Sequence, residues 1–370
     1  MIRTTARTGI VILLLAVALV QLRAAQRTVV DLPQLPGGFG TSAIAINDRG
    51  EIAGTSGTAS GLPHAVLWSH GAVADLGILP ISTQSAALSI NNRGQVVGYG
   101  DTPTGQHAIL WDHGAIVDLG PLEPGGSGLA RHINNRGQVV GEGESAATGT
   151  THGVVWQNGT VIDLGAGDAF TNNDRGEVVG FLTVGGAFLW RDGRTRLLGT
   201  LPGGGFSVAN DINQHGQVVG WAEVRNTSHG FIWAGRAMED LGALPGGVGS
   251  IANAINDRGQ VVGSAGTANG EGHAFLWEKG TMIDLGMLPG STSSEAIAIN
   301  ERGQIAGWSH SPSGSEIFLW EKGTMIDLGI GGNPLPNLSR HILNARGVVV
   351  GGNAQGAAVS TRRPHEDDGR

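Results

Sequence analysis

The sequence predicts an all-β protein, a β-propeller of four-stranded blades, on three observations. One unit of about 43 residues recurs eight times along the 370-residue chain, and periods of this size are typical of propellers and solenoids. Each unit contains two short hairpins and therefore four candidate strands. Helical periodicity of three and four residues is absent. These observations favour four-stranded blades arranged in a ring.

The first hairpin of the unit is clearest in the seventh copy. Predicted strands at 275–277 and 281–285 flank a short turn that ends in Gly280. Glycine suits this place because tight hairpin turns need a positive φ. The same pattern, a strand ending in Trp and a strand containing Asp-Leu-Gly, predicts this hairpin in the other copies.

The second hairpin joins predicted strands at 296–299 and 304–307 through the turn Asn-Glu-Arg-Gly. We expect a type I turn followed by a left-handed Gly303, a common connection between antiparallel strands. Asn300, the first residue of the turn, is expected to bond to the backbone two residues further on. One copy is shorter because it lacks Leu-Pro-Gly-Gly after Gly165, which indicates that this segment is a surface loop.

The two ends of the chain predict how the ring closes. The chain enters the repeats with a strand at 28–32 that matches the Asp-Leu strand, and it finishes with a weak copy of the Trp strand at 356–360. In every other unit these two strands form one hairpin, so the C-terminal strand is expected to complete the first blade. This count gives eight blades. The final copy lacks its Trp, which leaves a seven-bladed ring with an irregular end as the alternative.

Three segments are predicted: a signal peptide at 1–25, the propeller at 26–361 and a disordered polar tail at 362–370. Arg3 and Arg7 precede an apolar stretch that is short for a bilayer span, as in export signals. We therefore expect an exported protein located at the cell surface, in the periplasm or outside the cell. An uncleaved anchor is the alternative.

Composition excludes several classes of function. The formal net charge is −8, so the basic surface typical of nucleic-acid binding is absent. The chain has no cysteine, which excludes disulfides, thiolate zinc sites and cysteine nucleophiles. No second membrane segment and no cofactor are predicted.

The motifs also resemble a known family. The order His-Ala-Phe-Leu-Trp, Asp-Leu-Gly-x-Leu-Pro-Gly-Gly and Ile-Asn-x-Arg-Gly-Gln-Val-Val-Gly is similar to the HAF-type extracellular repeat of bacterial proteins. The resemblance covers roughly residues 28–352, with the triplet itself at 273–275. It implies a secreted or surface protein and carries no established activity.

Tryptophan closes the third strand in seven units, and we expect these rings to fill the space between blades. They are Trp68, Trp111, Trp156, Trp190, Trp233, Trp277 and Trp320. Trp221 and Trp308 follow Val-Val-Gly and Ile-Ala-Gly instead and are shared by no other unit. These two are the candidate ligand contacts.

Seven turns carry an arginine and six units carry the aspartate of Asp-Leu-Gly. We interpret them as internal ion pairs, because the fifth unit lacks both partners, with Leu197 and His215 in their places. The alternative is a ring that cradles a polyanion. The arginines are Arg49, Arg93, Arg136, Arg175, Arg258, Arg302 and Arg346, and the aspartates are Asp75, Asp118, Asp163, Asp240, Asp284 and Asp327.

No metal site is predicted. One repeat position holds five histidines, but equivalent positions in a ring lie too far apart for one ion, so we expect strand-edge residues. They are His64, His107, His152, His229 and His273. Calcium at the oxygen-rich turns is the alternative, although the arginine there opposes it.

No catalytic motif is present, and we predict a protein that is not an enzyme. Acid–base chemistry would require carboxylates outside the repeat, and those in the sequence are scattered over several units. They are Glu123, Glu142, Glu144, Asp168, Glu223 and Glu295.

The sequence therefore predicts a monomeric binding or scaffold module that presents variable loops on a rigid ring to an unknown protein or polysaccharide. The segments expected to make contact are the Leu-Pro-Gly-Gly loops and the variable segments after Val-Val-Gly, for example at 264–272 and 309–315. The alternatives are a glycan-active hydrolase or lyase on the same fold, and a purely structural envelope component.

Overall fold

A computed structural model describes residues 27–331 and 341–362. These residues form 30 strands and no helix, and none of their segments is a helix long and apolar enough to cross a membrane. The predicted signal peptide lies outside the described residues, and so does the predicted tail beyond Arg362. The strands form eight antiparallel blades, whose strands we count from the inside of the ring outwards.

The chain opens with β1 (Arg27–Asp31), which belongs to the last blade. Blade 1 contains β2 (Thr41–Ile46), β3 (Ile52–Gly57), β4 (Pro63–Ser69) and β5 (Ala72–Asp75). Blade 2 contains β6 (Ser85–Ile90), β7 (Val96–Thr102), β8 (Gly105–Asp112) and β9 (Ala115–Gly120). Blades 3 and 4 contain β10 (Gly128–Ile133), β11 (Val139–Glu144), β12 (Thr151–Gln157), β13 (Thr160–Asn172), β14 (Val178–Leu182), β15 (Gly186–Arg191) and β16 (Arg194–Leu197).

Blade 5 contains β17 (Ser207–Ile212), β18 (Val218–Val224), β19 (Thr227–Trp233) and β20 (Met238–Gly242). Blade 6 contains β21 (Ser250–Ile255), β22 (Val261–Gly266), β23 (Gly272–Glu278) and β24 (Thr281–Gly286). Blade 7 contains β25 (Ser293–Ile299), β26 (Ile305–Ser311), β27 (Gly314–Glu321) and β28 (Thr324–Gly331). Blade 8 contains β29 (Val349–Asn353), β30 (Gly356–Arg362) and β1, with a single bridge from Leu343 to Val349 on its inner side.

The two ends of the chain close the ring, as the sequence predicts. Strand β1 pairs antiparallel with β30, with Arg27 opposite Arg362 and Asp31 opposite Ala358. The buried Arg27 guanidinium adds hydrogen bonds to the carbonyls of Gly347, at 2.8 Å, and Ser360, at 3.3 Å. The first strand of the propeller is therefore the outer strand of its last blade.

A closed ring of asparagine side chains confirms the count of eight blades. The first residue of each Asn-x-Arg-Gly turn donates from its Nδ2 to the backbone carbonyl of the equivalent asparagine in the next blade, at 2.8–3.1 Å. The last member, Asn344, donates to Asn47 and completes the circle. The seven-bladed alternative is therefore excluded. The ring contains Asn47, Asn91, Asn134, Asn173, Asn213, Asn256, Asn300 and Asn344.

The short repeat has a structural explanation. Strand β13 is 13 residues long and serves as the outer strand of blade 3 and then as the inner strand of blade 4. It passes from one blade to the next at Ala166 and Gly167, without the Leu-Pro-Gly-Gly loop that links other blades. The loop is dispensable because it lies outside the sheets.

Both predicted hairpin turns are present. Lys279 and Gly280 have φ values of 51° and 81°, the two positive values of a type I′ turn. In the other turn Gly303 has a φ of 71° and donates to the Asn300 carbonyl, while Oδ1 of Asn300 accepts from the backbone of Arg302 and Gln304. Local sequence therefore determines both connections in the blade.

A β-bulge in the inner strand explains the glycine of Val-Val-Gly. In blade 6 the register shifts between Ala252 and Ala254, so the Ile251 carbonyl turns towards Gly263. A Cβ on Gly263 would lie 1.9 Å from that oxygen, which no side chain tolerates. The bulge and the glycine therefore depend on each other.

The cores lie between neighbouring blades. The core between blades 4 and 5, for example, joins Val179 and Ala187 to Phe231 and Trp233. Six of the seven repeated tryptophans are buried in such cores, and Trp320 is half-buried at the edge of one. The space between blades is the place that the sequence predicts for these rings.

The strand directions define two faces of the ring. The turn face carries the Asn-x-Arg-Gly turns and the type I′ turns. The loop face carries the connections between blades and the loops between second and third strands. Each inner strand runs from the loop face to the turn face, so the first half of an inner strand lies on the loop side.

Candidate functional site

Eight copies of one blade allow each position to be compared within the chain. The residue after Val-Val-Gly in the second strand differs in almost every blade, although its neighbours are nearly constant. Seven of these residues are half-buried on the loop side, and Trp308 is buried. They are Thr55, Tyr99, Glu142, Phe181, Trp221, Ser264, Trp308 and Gly352. A variable, partly exposed position on a constant scaffold is where we expect ligand contacts.

The bulged residue of the inner strand varies in the same way. The register shift is described in seven blades. In these, the bulged residue is apolar in some blades, polar in others and charged only in blade 3. These residues are Ile44, Leu88, Arg131, Phe170, Asn210, Asn253 and Ile297. Blades 3 and 4 thus depart most from the others.

Three charged residues meet where blades 3 and 4 adjoin, and we name them the Arg131 cluster: Arg131, Glu142 and Asp168. Nη2 of Arg131 lies 2.9 Å from Oε2 of Glu142 and 3.1 Å from Oδ2 of Asp168, and Nε donates to Oδ1 of Asp168 at 3.2 Å. The side chains of Arg131, Glu142 and Asp168 are 14%, 27% and 10% exposed. The guanidinium therefore bridges two carboxylates in a largely dry environment.

The Asp168 carboxyl has an unusual acidity. Its pKa is raised to about 7, because burial raises it strongly, the Arg131 guanidinium lowers it in part, and the Glu142 carboxylate raises it. Desolvation disfavours the charged form, and a second carboxylate close by adds repulsion. Such a perturbed group is typical of functional sites, although structural ion pairs also produce it.

Four aromatic side chains continue from the cluster into blade 5, and we name them the aromatic row: Phe170, Phe181, Phe206 and Trp221. Successive ring centroids are 5.8, 5.9 and 6.2 Å apart, and all four residues are half-buried. Phe181 lies opposite Asp168 in the strand register, so the row begins beside the cluster.

Every aromatic residue outside the repeated core positions lies on the loop side of the ring. The repeated positions account for seven tryptophans and for Phe188, Phe231, Phe275 and Phe318, which are fully buried. The remaining aromatic residues are Phe39, Tyr99, Phe170, Phe181, Phe206, Trp221 and Trp308. The turn face receives none of them among the described residues.

The two candidate ligand contacts differ in their surroundings. Trp221 is half-buried in the aromatic row. Trp308 is only 5% exposed and packs with Ile317 and Val350 in the core of blades 7, 8 and 1. It also lines a cavity of about 290 Å³, so its role as a ligand contact stays a prediction.

The predicted pairing of the turn arginines with the aspartates of Asp-Leu-Gly is wrong. The aspartate of Asp-Leu-Gly lies on the loop face and the arginine is exposed on the turn face, at opposite ends of the blade. Five of the six aspartates instead accept from Nδ1 of the histidine 11 residues before them, as in His273 and Asp284 at 2.9 Å. The same bond joins His64 to Asp75, His107 to Asp118, His152 to Asp163 and His229 to Asp240.

The joint absence of an aspartate and an arginine, at Leu197 and His215, does not reflect the loss of an ion pair. Leu197 lies in blade 4 and His215 in blade 5, so they never belonged to one pair. The partner that disappears with Leu197 is the histidine, replaced by Gly186 in the same blade. In blade 7 the position of the histidine is occupied by Glu316. The neighbouring Asp327 carboxylate raises the pKa of Glu316.

The turn face does not form a cradle for a polyanion. The seven arginines are exposed there, but carboxylates occupy the second and fifth positions of the same turns. These are Asp48, Glu51, Asp174, Glu177, Asp257 and Glu301. Opposite charges of nearly equal number leave little attraction for a polyanion.

Three of the remaining non-repeating carboxylates serve local contacts, and the fourth, Glu144, is exposed. Glu123 accepts from Ser145, Glu223 accepts from the Gly205 backbone, and Glu295 lies 3.7 Å from His310. Only Glu142 and Asp168 come together. Across residues 27–331 and 341–362, no three His, Asp or Glu side chains are arranged to hold a metal ion.

Sequence reasoning also missed a histidine pair inside the ring. The rings of His132 and His341 stack with centroids 4.5 Å apart, beside a polar cavity of about 260 Å³ at the turn-side end of the channel. Nδ1 of His132 lies 2.7 Å from Oδ1 of Asn172, and burial lowers the pKa of His132 to about 4.

These sheets and their closed ring define an eight-bladed β-propeller. No family model and no curated protein sequence matches the chain. Among solved structures, the propeller domain of the Trilobed protease from Pyrococcus furiosus is similar with a TM-score of 0.49 and 11% identity, over 80% of this chain and 100% of that domain.

Two further solved structures are similar at comparable identity. A puromycin-hydrolyzing peptidase from Mycobacterium tuberculosis has a TM-score of 0.46 and 11% identity, over 86% of this chain and 57% of that one. The lectin SapL1, solved with alpha methyl fucoside, has a TM-score of 0.33 and 11% identity, over 82% of this chain and 97% of that one. The chain thus spans little more than half the length of that peptidase.

Proposed function

We propose that the protein is a monomeric, exported ligand-binding propeller that uses its loop face. One observation carries the proposal: every aromatic side chain not required by the repeated core lies on the loop side. Half-buried aromatic rings with a few polar groups are typical of ligand sites. The turn face carries arginines and carboxylates in nearly equal number, and within the described part of the chain it has none of these additional aromatic side chains.

Exposed apolar side chains on the same face support the proposal. Phe39, Val184 and Val248 are 66%, 86% and 76% exposed and lie in loop-face connections. The export segment and the resemblance to HAF-type repeats support a partner at the cell surface or outside the cell.

A hydrolase is the second candidate, favoured by Glu142 and Asp168. Glycosidic chemistry uses two carboxyl groups in one pocket, one of them with a raised pKa. Against it, Arg131 lies between the two carboxylates and bonds to both. We therefore favour binding without turnover.

A thermal-unfolding screen tests the proposed function. The purified protein is mixed with polysaccharides, divalent ions and envelope fractions, and the same mixtures are assayed for released sugar. We expect one class of ligand to raise the unfolding temperature without turnover. Turnover that disappears in Asp168→Asn would establish the hydrolase instead, and no response to any mixture would favour a purely structural role.

A further inference from the structure

The aromatic row and the Arg131 cluster form one continuous surface across blades 3, 4 and 5. The cluster supplies hydrogen-bonding groups at one end and Trp221 lies at the other, with Phe181 opposite Asp168 at the junction. Any ligand long enough to cover the row therefore also reaches the cluster. We infer that this surface binds an uncharged oligosaccharide; the inference rests on the proposed function and names its ligand class.

The free hydrogen-bonding atoms of the cluster match a sugar. Arg131 uses Nε and Nη2 for its two carboxylates, and Glu142 uses Oε2. Among the described residues, Nη1 of Arg131 and Oε1 of Glu142 have no hydrogen-bond partner. They provide a donor beside an acceptor. Neighbouring hydroxyl groups on a sugar ring, each both donor and acceptor, satisfy such a pair together.

The aromatic row matches the other side of a sugar. A pyranose ring has an apolar face of C–H groups, and aromatic rings present a negative π-face to such groups. The rings of the row are 5.8–6.2 Å apart, which is comparable with the length of one sugar unit. Successive ring planes are tilted by 46°, 75° and 57°, so a sugar unit would stack on the exposed face of one ring and contact the edge of the next.

The charge of the cluster favours an uncharged ligand. The single guanidinium is already shared by two carboxylates, so no positive charge is left for a phosphate or a uronate. A carboxylate on the ligand would lie beside Glu142 and be repelled. The acidic alternatives are therefore disfavoured at this surface.

Calorimetric titration with defined hexasaccharides tests the inference. The probes are cellohexaose, xylohexaose, mannohexaose and chitohexaose, with hexagalacturonic acid as the acidic counterpart. We expect at least one neutral probe to bind, and Trp221→Ala and Glu142→Gln each to weaken its binding tenfold or more. Ile283→Ala is the control, since Ile283 is an exposed apolar residue of the outer strand β24, outside the row and the cluster; it should change binding less than twofold.

Folding is checked in parallel. Thermal unfolding of each variant shows whether the ring is intact, and Trp221→Phe should retain binding within about threefold because it keeps an aromatic face. Binding of a neutral probe that Trp221→Ala and Glu142→Gln weaken no more than Ile283→Ala would overturn the assignment of the site.

Two further outcomes separate this inference from the proposed function. If only hexagalacturonic acid binds and Trp221→Ala abolishes its binding, the ligand class is wrong while binding on the loop face stands. If no hexasaccharide binds at millimolar concentration, the oligosaccharide inference is wrong. If the screen of other ligands and envelope fractions is also negative, the proposed function fails with it.

Discussion

A comparison of single positions across the eight blades distinguishes residues that stabilise the ring from residues suited to contact a ligand. The turn asparagine is the same in all eight blades, and each one bonds within its turn and to the next blade. The residue after Val-Val-Gly ranges from Gly352 to Trp308 and makes no common contact. Constant residues build the ring, and varied residues such as Trp221 determine what the ring contacts.

The raised pKa of Asp168 gives a prediction at this scale. Its pKa in the folded protein is about 7 against an ordinary value of 3.8, so its proton stabilises the folded state below pH 4 and this contribution is lost as pH rises through 7. The difference in free energy of unfolding between the native protein and Asp168→Asn should therefore decrease as the pH rises from 4 to 8. Urea unfolding across this range measures it, and a difference that rises with pH would contradict the assignment.

The turn is the element on which the ring depends most. Asn256 donates to Gln260 and to the Asn300 carbonyl and accepts from two backbone amides, all largely buried. Arg258, two residues later, is exposed. The same turn therefore contains one residue that joins two blades and one that faces solvent.

We expect Asn256→Ala to lower the free energy of unfolding by about 2–4 kcal/mol, because several buried groups lose their partners. Arg258→Ala, the matched control, should change it by less than about 0.5 kcal/mol. Denaturant unfolding of both variants gives the comparison. Equal losses would show that the arginine, and not the asparagine, holds the blades together.

Sequence reasoning reached the hairpins because each depends on a few neighbouring residues, such as Gly280 and Asn300. It missed the histidine–aspartate pairs, although the constant spacing of 11 residues and the joint loss at Gly186 and Leu197 were visible in the sequence. The Arg131 cluster could not be predicted. It requires the bulge of β10, the register of β11 and the direct passage of β13 between blades, all of which are tertiary features.

For the whole molecule, closure by β1 is the decisive feature. The strand comes from the start of the propeller and seals the last blade, so the ring is complete only when both ends are present. The sequence predicted this closure because the two ends carry complementary halves of one hairpin. It did not predict the buried contacts of Arg27, since that residue lies outside the repeat motifs.

Removal of residues 1–31 should open the ring. We expect a loss of about 3 kcal/mol or more in the free energy of unfolding, as for other disrupted buried networks, and self-association through the exposed edge of β30. Removal of residues 1–26, which keeps β1, is the control. Unfolding and light scattering measure both effects, and a stable monomer without β1 would refute closure by this strand.

The central claim is that the loop face binds and the turn face does not. Since the chain has no cysteine, Val184→Cys and Arg302→Cys each offer a single attachment point, one on either face. After coupling to a polyethylene glycol maleimide, we expect the Val184→Cys protein to lose binding of the ligand found in the screen and the Arg302→Cys protein to keep it. Loss at Arg302→Cys with binding preserved at Val184→Cys would place the site on the turn face and contradict the account.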